Sequence, residues 1–323
     1  MTSDPAQTAD TTAPSVSIII ISYNTRQMTL DCIQSVIDET TVPYELIVMD
    51  NASTDGSAEA IAAAYPDIQL MAEDANHGFA KANNLAAVHA KGEYLLLLNP
   101  DTLVLDRGLD KLLEFAQARP DAGIWGGRHL DGDRRMRKDA CWRKLSLWNV
   151  FCRVSGLTGL FSESEFFNSE AYGGWQRDTE RQVDMITGAL FLIKRDFWNT
   201  LGGFDLRYIM YGEEVDLCLR AAKLGAAPRM TPNAEIIHFG GASDTVRADK
   251  MVRMMKAKLT LIEQHFPVWQ RWIGRMLFGL WPWSRAQATR LKAMLKGGKD
   301  ENAWVEIWGR RGEWWNGYPP LDG

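Results

Sequence analysis

The chain has 323 residues, 46% of them hydrophobic and 24% charged, which is an ordinary globular composition, large enough for one big domain with an appendage or for two modest domains. Its net charge of −5 is spread along the sequence, which argues against a nucleic-acid partner. Four cysteines without CxxC spacing favour buried or reduced thiols over disulfides or a zinc site and, with no secretory signal at the start, indicate the cytoplasm.

The first residues and the most apolar run of the chain carry no sign of a membrane span. Residues 1–14 are small and polar, which is typical of a disordered leader. The best apolar run, Trp272 to Trp283, is shorter than the roughly 20 residues that cross a bilayer, and it contains Arg275. We therefore expect no transmembrane helix.

From Val16 onward the pattern alternates between strands and helices. Buried apolar runs predict strands over residues 16–22, 45–49, 68–71 and 94–98. Helical spacing of apolar residues predicts helices around 30–37, 54–64 and 81–90, between those strands. The alternation predicts an α/β fold with a mostly parallel sheet flanked by helices, whose ligands bind beyond the carboxyl ends of the strands.

The second half of the sequence changes character twice. Residues 130–181 mix a basic cluster with aromatic and glycine residues, and we interpret them as an irregular, partly mobile segment near an acceptor. Residues 251–266 are amphipathic and helical, and the remainder is rich in Trp and Arg. The predicted organisation is a leader over 1–14, a domain over 15–243 with halves near 15–105 and 106–243, and a helical appendage over 244–323.

Polar residues follow three of the predicted strands or begin the helices after them. Asp50 ends the second strand, where a carboxylate is suited to bind a base or a ribose, although an Asx turn with a helix cap is sufficient to explain residues 51–57. In the segment Asn76–Asn84, Gly78 allows close backbone approach, and either Asn83 or Asn84 is a candidate to face a nucleotide.

The Asn-Pro-Asp sequence after the fourth strand is a candidate metal site. The strand delivers Asn99 and Asp101 to the sheet edge, and a divalent cation that bridges two phosphates often takes only one or two protein carboxylates. A common turn is an equal explanation for this tripeptide.

Two further segments carry groups suited to catalysis. Three acids, Glu213, Glu214 and Asp216, begin a predicted helix, and one of them could act as a general base, although a capped surface helix also explains them. His238 ends a short apolar run before two glycines, and a lone histidine of this kind is more often structural than a ligand.

Together, in this order, these five segments resemble glycosyltransferase family 2 with the GT-A fold, and specifically its rhamnosyltransferase-like branch, over about residues 15–243. The resemblance implies nucleotide contacts at Ser22, Tyr23, Asn24, Asp50, Asn51, Asp74, Gly78, Asn83 and Asn99. It also implies sugar contacts at Thr187, Gly188 and Arg220, metal ligands at Asp101 and His238, and a catalytic base at Glu214, with Glu213 and Asp216 as alternatives or supporting residues.

The implied activity is inverting transfer of a sugar from a nucleotide diphosphate to a saccharide or lipid-linked acceptor in cell-surface polysaccharide synthesis. The implied donor is dTDP-rhamnose, which would supply L-rhamnose. Mg²⁺ or Mn²⁺ is the implied cofactor. Two departures stand out: Asn99 replaces an acid of the family's DxD motif, and Glu214 stands where the family generally has Asp.

Two other functions are alternatives to this interpretation. A sugar-phosphate nucleotidyltransferase shares the architecture, but the sequence after the first strand lacks a glycine-rich basic loop. The second is a degenerate sugar- or nucleotide-binding module without turnover.

The aromatic and basic tail admits two interpretations. Trp269, Trp272, Phe278, Trp281 and Trp283 stand among arginines, a mixture suited to a peripheral contact with the inner face of the cell membrane. Packing of the same aromatics on the catalytic domain, or in a homodimer, explains the pattern as well.

Overall fold

The structure is a computed structural model that describes residues 14–240, 247–296 and 303–320. The predicted leader, apart from Pro14, and the predicted boundary at residue 243 lie outside the described residues.

Strands and helices alternate through the first third of the chain, as predicted. Strands β1 to β11 span Val16–Ser22, Tyr44–Asp50, Gln69–Ala72, Tyr94–Leu98, Thr102–Leu105, Ile124–Leu130, Cys141–Trp142, Arg181–Gln182, Met185–Ile186, Leu190–Lys194 and Arg229–His238. Helices α1 to α8 span Arg26–Glu39, Ser57–Ala64, Gly78–Ala87, Gly108–Ala118, Leu147–Ser155, Leu157–Leu160, Arg195–Leu201 and Glu213–Lys223. Helices α9 to α12 span Arg247–His265, Val268–Lys296, Ala303–Gly309 and Arg311–Trp314, and short 3-10 helices cover Pro120–Ala122 and Lys138–Ala140.

Among the described residues, nine strands form the main sheet, with the path β3-β2-β1-β4-β10-β6-β11-β5 and with β8 paired to β11. The first four strands of the path are mutually parallel. Strand β10 is antiparallel to both its neighbours, β11 is parallel to β6, and β5 is antiparallel to β11. The remaining strands, β7 and β9, form a two-stranded sheet.

This topology brings several loops to one edge of the sheet. Ser22 of β1 is in register with Asp50 of β2, so the two strands end together. Because β10 and β5 run in the opposite direction, their first residues lie at the edge where β4 and β11 end, and His238 pairs with Thr102. The loops after β1, β2, β4 and β11, and the loop before β10, therefore converge there.

The two faces of the sheet are covered by different helices. Side chains alternate along β1, so that Ile18 and Ile20 pack in a cluster with α1, α2 and α4, whereas Ile19 and Ile21 pack with α3, α7 and α8. Burial of both faces explains why these strands appear in the sequence as continuous apolar runs rather than as alternating ones.

The C-terminal region is helical, as predicted. Helices α9 to α12 share a hydrophobic cluster whose buried members include Met255, Phe278 and Trp314, and Val150 of α5 belongs to the same cluster. None of the described helices is both long and apolar enough to cross a membrane. All four cysteines are buried and free.

Several boundaries differ from the predicted ones. The helix predicted over 54–64 begins at Ser57, because Gly56 is left-handed (φ 77°) and Asp55 accepts hydrogen bonds from Ser57. The segment 130–181 is not wholly irregular, since it contains α5, which starts with a capping box between Ser146 and Asn149.

Candidate functional site

A cavity of about 340 Å³ opens at the edge where the loops converge. Residues from the ends of β1, β2, β4 and β11 line it, together with residues before β10, at the start of α8 and in the first turn of α9. The predicted residues that line the cavity are Tyr23, Asn51, Gly78, Asn99, Asp101, Thr187, Gly188, Glu213, Glu214 and His238.

Asp101 and His238 meet at the start of β5 and the end of β11. The Nε2 atom of His238 lies 3.5 Å from Oδ1 of Asp101, and the backbone N–H of Gly240 donates to Oδ2 of Asp101 at 3.0 Å. Burial alone would raise the pKa of Asp101, but its contact with His238 lowers that pKa below the usual value. Burial likewise opposes protonation of His238, yet Asp101 and Asp139 raise the His238 pKa to about 9. The pair is therefore an ion pair that a divalent cation could separate.

The chemistry of these groups fits Mg²⁺ or Mn²⁺. A carboxylate oxygen suits both ions, and an imidazole nitrogen suits Mn²⁺ better than Mg²⁺. The carboxylate of Asp139 faces the other ring nitrogen of His238 at 3.4 Å. His129, Asp139 and His238 form a group whose ligand atoms all lie within 4.8 Å of one another.

Glu213 and Glu214 lie at the start of α8, directly after two residues with positive φ angles. Tyr211 (φ 68°) and Gly212 (φ 96°) are both left-handed, and a Cβ on Gly212 would lie 2.9 Å from the ring of Tyr208. Glu213 and Glu214 thereby enter the cavity at the positive end of the helix dipole.

Burial raises the pKa of both glutamates, and the charge of Glu214 raises that of Glu213 further. One carboxylate oxygen of each has no hydrogen-bond partner in the described structure. Glu213 is 4% exposed and Glu214 is only partly buried, so Glu214 is the more accessible to a ligand. Carboxylates with raised pKa values and free oxygens are suited to accept a proton.

Tyr23 and the loops around Asn51 and Gly78 also line the cavity. Tyr23 is 41% exposed, and its ring is available to a ligand. Oδ1 of Asn51 accepts from the backbone N–H of His77 at 2.8 Å, and its Nδ2 donates to Asn76 at 3.0 Å. Asn51 therefore ties the end of β2 to the start of α3.

Five predicted nucleotide contacts do not line the cavity. Asp50 is buried, and its Oδ2 accepts from the backbone N–H of Ser53 at 3.0 Å. The hydroxyl of Ser22 is hydrogen-bonded to that of Thr29 in α1, and Oδ1 of Asn24 accepts from the backbone N–H of Thr54. Asn83 donates to the backbone carbonyl of Phe79 in α3, and Asp74 is exposed outside the cavity. The side chain of Asn84, the alternative to Asn83, bonds the backbone of Phe204.

Asp216 and Arg220 also lie outside the cavity wall, because tertiary packing occupies them. Asp216 is buried and contacts His265 of α9 at 2.8 Å and Arg220 at 2.7 Å. Arg220 additionally donates to the carbonyls of Leu201 and Gly203. These contacts connect α8 to α9 and to the end of α7, and they direct both side chains away from the cavity.

Several residues at the site were not predicted from the sequence. Asp139 and Trp142 line the cavity from the segment interpreted as irregular, and Lys250 lines it from α9. His129 lies behind Asp139 on β6. Residues 124–130 have the composition of a strand, and His129 is a polar side chain near its end, which could have indicated it. No local sequence pattern indicates the other residues.

The chain matches a known family over its first half. Residues 17–175 match the sequence model described as glycosyl transferase family 2. An N-acetylglucosaminyl-diphospho-decaprenol L-rhamnosyltransferase of Mycobacterium tuberculosis is 29% identical over 207 residues, which are 61% of this chain and 66% of that protein, somewhat less than two thirds of its length. The rhamnosyltransferase WbbL of Escherichia coli is 25% identical over 203 residues, 61% of this chain and 73% of that protein.

Solved structures agree on the fold. A mannosyltransferase of Pyrobaculum calidifontis, in complex with GDP-Man and Mn²⁺, aligns with a TM-score of 0.54 at 20% identity, over 94% of this chain and 81% of that one. This likeness confirms the predicted GT-A architecture. The family model and the named relatives identify residues 17–175 as a glycosyltransferase family 2 domain, whereas the structural likeness bears on the fold alone.

Proposed function

We propose that this protein is an inverting, metal-dependent glycosyltransferase that moves a sugar from a nucleoside diphosphate to an acceptor hydroxyl. One observation carries the proposal: a single cavity is lined both by Asp101 and His238 and by the carboxylates of Glu213 and Glu214. A donor diphosphate needs the first pair, and an acceptor hydroxyl needs the second.

Asp101 and His238 would hold the cation, and the cation would supply positive charge to stabilise the departing diphosphate. Tyr23, Asn51, Gly78 and Asn99 line the cavity and are the proposed nucleotide contacts. Asp50 holds the loop after β2 through its hydrogen bond with the backbone of Ser53. The remaining predicted nucleotide contacts, Ser22, Asn24, Asp74 and Asn83, stay predictions.

Glu214 is the proposed base. Its carboxylate accepts the proton of the acceptor hydroxyl while the oxygen forms a bond to the anomeric carbon and the bond from that carbon to the diphosphate breaks. The configuration inverts in this single displacement, and no covalent enzyme intermediate forms. Partial exposure and a raised pKa suit Glu214 to this step, whereas Glu213 is more deeply buried.

The proposed sugar is L-rhamnose, donated by dTDP-rhamnose, because two relatives at 29% and 25% identity carry rhamnosyltransferase names. The name of the mycobacterial relative includes a diphospho-decaprenol saccharide, which supports a saccharide or lipid-linked acceptor in cell-surface polysaccharide synthesis. Thr187 and Gly188 are proposed sugar contacts. We also propose that residues 15–243 are the catalytic unit and that 244–323 are its helical appendage.

The first experiment is calorimetric titration with dTDP, UDP and GDP, each with Mn²⁺, with Mg²⁺ and with EDTA. Metal-dependent binding of one nucleotide is expected, because a cation held by Asp101 and His238 would offset the negative charge of the diphosphate. The Glu214→Gln variant should keep that binding and lose about 10²- to 10⁴-fold in turnover. The matched Glu213→Gln variant should lose less.

The outcomes separate the alternatives. Near-normal turnover of Glu214→Gln with loss in Glu213→Gln would move the base to Glu213. Binding without turnover of any nucleotide sugar would favour a non-catalytic module, and release of pyrophosphate from a nucleoside triphosphate would favour a nucleotidyltransferase.

We further propose that α10 attaches the protein peripherally to the inner face of the cell membrane. Its 29 residues include six Arg or Lys and no Asp or Glu. Trp269, Trp272, Met276, Leu280 and Trp283 are exposed at spacings of three and four, so they form one stripe along the helix. Trp and basic residues on one amphipathic helix suit an anionic lipid surface.

Part of the predicted aromatic group packs inward instead. Phe278 is buried, and Trp281 packs beside it against α11 and beneath Arg153. Packing of the aromatics against the rest of the protein was one of the two alternatives predicted for the tail. Trp269, Trp272 and Trp283 stay exposed and are the side chains proposed to contact the membrane.

Vesicle sedimentation tests the membrane contact. The protein should bind phosphatidylglycerol-containing vesicles and not phosphatidylcholine alone, and a Trp269→Ser, Trp272→Ser double variant should lose binding. Val88→Ser, at a side chain 78% exposed on another surface, is the matched control. A dimer in solution that this double variant dissociates, without vesicle binding by the parent protein, would assign the stripe to a homodimer.

A further inference from the structure

Asp139 lines the cavity and lies between two histidines. It lies in the 3-10 helix Lys138–Ala140, after β6. Its Oδ1 lies 3.1 Å from Nδ1 of His129, and its Oδ2 lies 3.4 Å from Nδ1 of His238. One carboxylate therefore faces both rings.

The two nitrogens of His238 face different carboxylates. Nε2 is 3.5 Å from Asp101 and Nδ1 is 3.4 Å from Asp139. Nδ1 is buried and makes no hydrogen bond at normal length in the described structure, so Asp139 is the acceptor within its reach. A ligating histidine commonly donates its second N–H to a carboxylate, which fixes the ring and its tautomer.

Asp139 is itself held in place. Arg137 donates to its Oδ2 through Nε at 2.9 Å and through Nη2 at 2.8 Å, and Arg137 also donates to the carbonyl of Phe239 at 3.1 Å. His129 is fully buried on β6, in register with Ile236 of β11, and its ring meets that of His238 edge to face at 5.3 Å. The position of Asp139 is thus fixed from two sides.

We propose that Asp139 is a positioning residue that holds the His238 ring with Nε2 directed at the cation, and that Arg137 and His129 hold Asp139 in turn. The inference rests on the proposed function, which supplies the cation. Asp139 accepts the Nδ1–H of His238, and this leaves the lone pair of Nε2 for the metal.

Electron paramagnetic resonance titration with Mn²⁺ tests this role, because it reports cation binding without turnover. Asp139→Asn should weaken Mn²⁺ binding about 10- to 100-fold. Asp133→Asn, which removes an exposed carboxylate from the same loop, should leave Mn²⁺ binding unchanged. Arg137→Gln, at a side chain 32% exposed, should weaken it to a smaller extent and serves if Asp139→Asn does not fold.

A double-mutant cycle separates positioning from a general structural effect. In a His238→Ala background, Asp139→Asn should cause no further loss, since the ring it orients is gone. Wild-type Mn²⁺ affinity in Asp139→Asn, or an undiminished penalty in the His238→Ala background, would overturn the inference. Failure of the parent protein itself to bind Mn²⁺ would instead overturn the proposed cation site, and this inference with it.

Discussion

At the scale of single residues, the charge of the cavity makes Lys250 a specific target. Among the described lining residues, Asp101, Asp139, Glu213 and Glu214 are acidic, and only His238 and Lys250 are basic. A diphosphate that enters this cavity meets a net negative charge. A divalent cation and the ammonium group of Lys250 would both reduce that repulsion and strengthen binding.

We therefore expect Lys250→Ala to weaken nucleoside diphosphate binding by about tenfold or more, because a hydrogen bond to a charged group contributes about 1.5–3 kcal/mol. Calorimetric titration in Mn²⁺ measures the change. Lys223→Ala, at an exposed lysine near the end of α8, is the control. Equal affinity of Lys250→Ala and the parent protein would contradict the expectation.

At the scale of elements, the turn before α8 determines where the two glutamates point. Gly212 adopts φ 96°, and a Cβ there would lie 2.9 Å from Tyr208 and 3.3 Å from Ala257. Gly225, just after the same helix, has a similar φ of 92° but open space around it. The two glycines differ in contact and not in backbone conformation.

Alanine at either glycine should reduce the free energy of unfolding by about 1–2 kcal/mol, because both positions require a left-handed residue. Only Gly212→Ala must also displace Tyr208 and shift the start of α8, so only that variant should lose most of its turnover. Melting temperature and kcat, measured together, separate the two effects. Equal turnover in both variants would exclude the turn as a determinant of activity.

At the scale of the whole molecule, a buried ion cluster joins the C-terminal helices to the middle of the chain. Glu170 binds Lys258 of α9 at 2.6 Å and also contacts Arg153 of α5. Burial alone would raise the pKa of Glu170, but the two cations lower it to about 2. Removing the one anion leaves two partly buried cations without this counter-charge.

We expect Glu170→Gln to lower the free energy of unfolding by about 3–5 kcal/mol, the usual cost of breaking a buried pair. Glu163→Gln, which breaks an ion pair at a side chain 63% exposed, should change it by less than about 1 kcal/mol. Denaturant titration at neutral pH measures both. A cost for Glu170→Gln no larger than that of the control would contradict the structural role of the cluster.

The same cluster predicts a pH dependence. The pKa of Glu170 is about 2 in the folded protein and about 4.3 in an unfolded chain. Its contribution to stability is therefore complete above the unfolded value and is lost as the pH falls from there through about 2. Wild-type stability should decline over that window more steeply than that of Glu170→Gln, and parallel pH curves for the two proteins would count against it.

The sequence by itself determined the strands and helices of the nucleotide-binding half. Strands β1 and β4 were predicted at their observed bounds, because burial on both faces leaves an unbroken apolar run that needs no information from distant residues. The order of motifs also indicated which polar residues end at the site edge, and Asp101, Glu213, Glu214 and His238 do share one cavity. Their catalytic and metal-binding roles stay predictions.

Only the tertiary structure decided which polar groups face the cavity and which serve packing. Asp216 was a candidate base from the sequence, but its carboxylate contacts the ring of His265 in α9. No local sequence pattern predicts that contact. Asp139 was hidden in a basic, irregular segment, and its contact with His238 depends on the parallel pairing of β6 with β11. On α10 the exposure of Trp269 and the burial of Phe278 likewise depend on which face meets the other helices. Such contacts join residues far apart in sequence, whereas local periodicity reports only that a side chain can be buried.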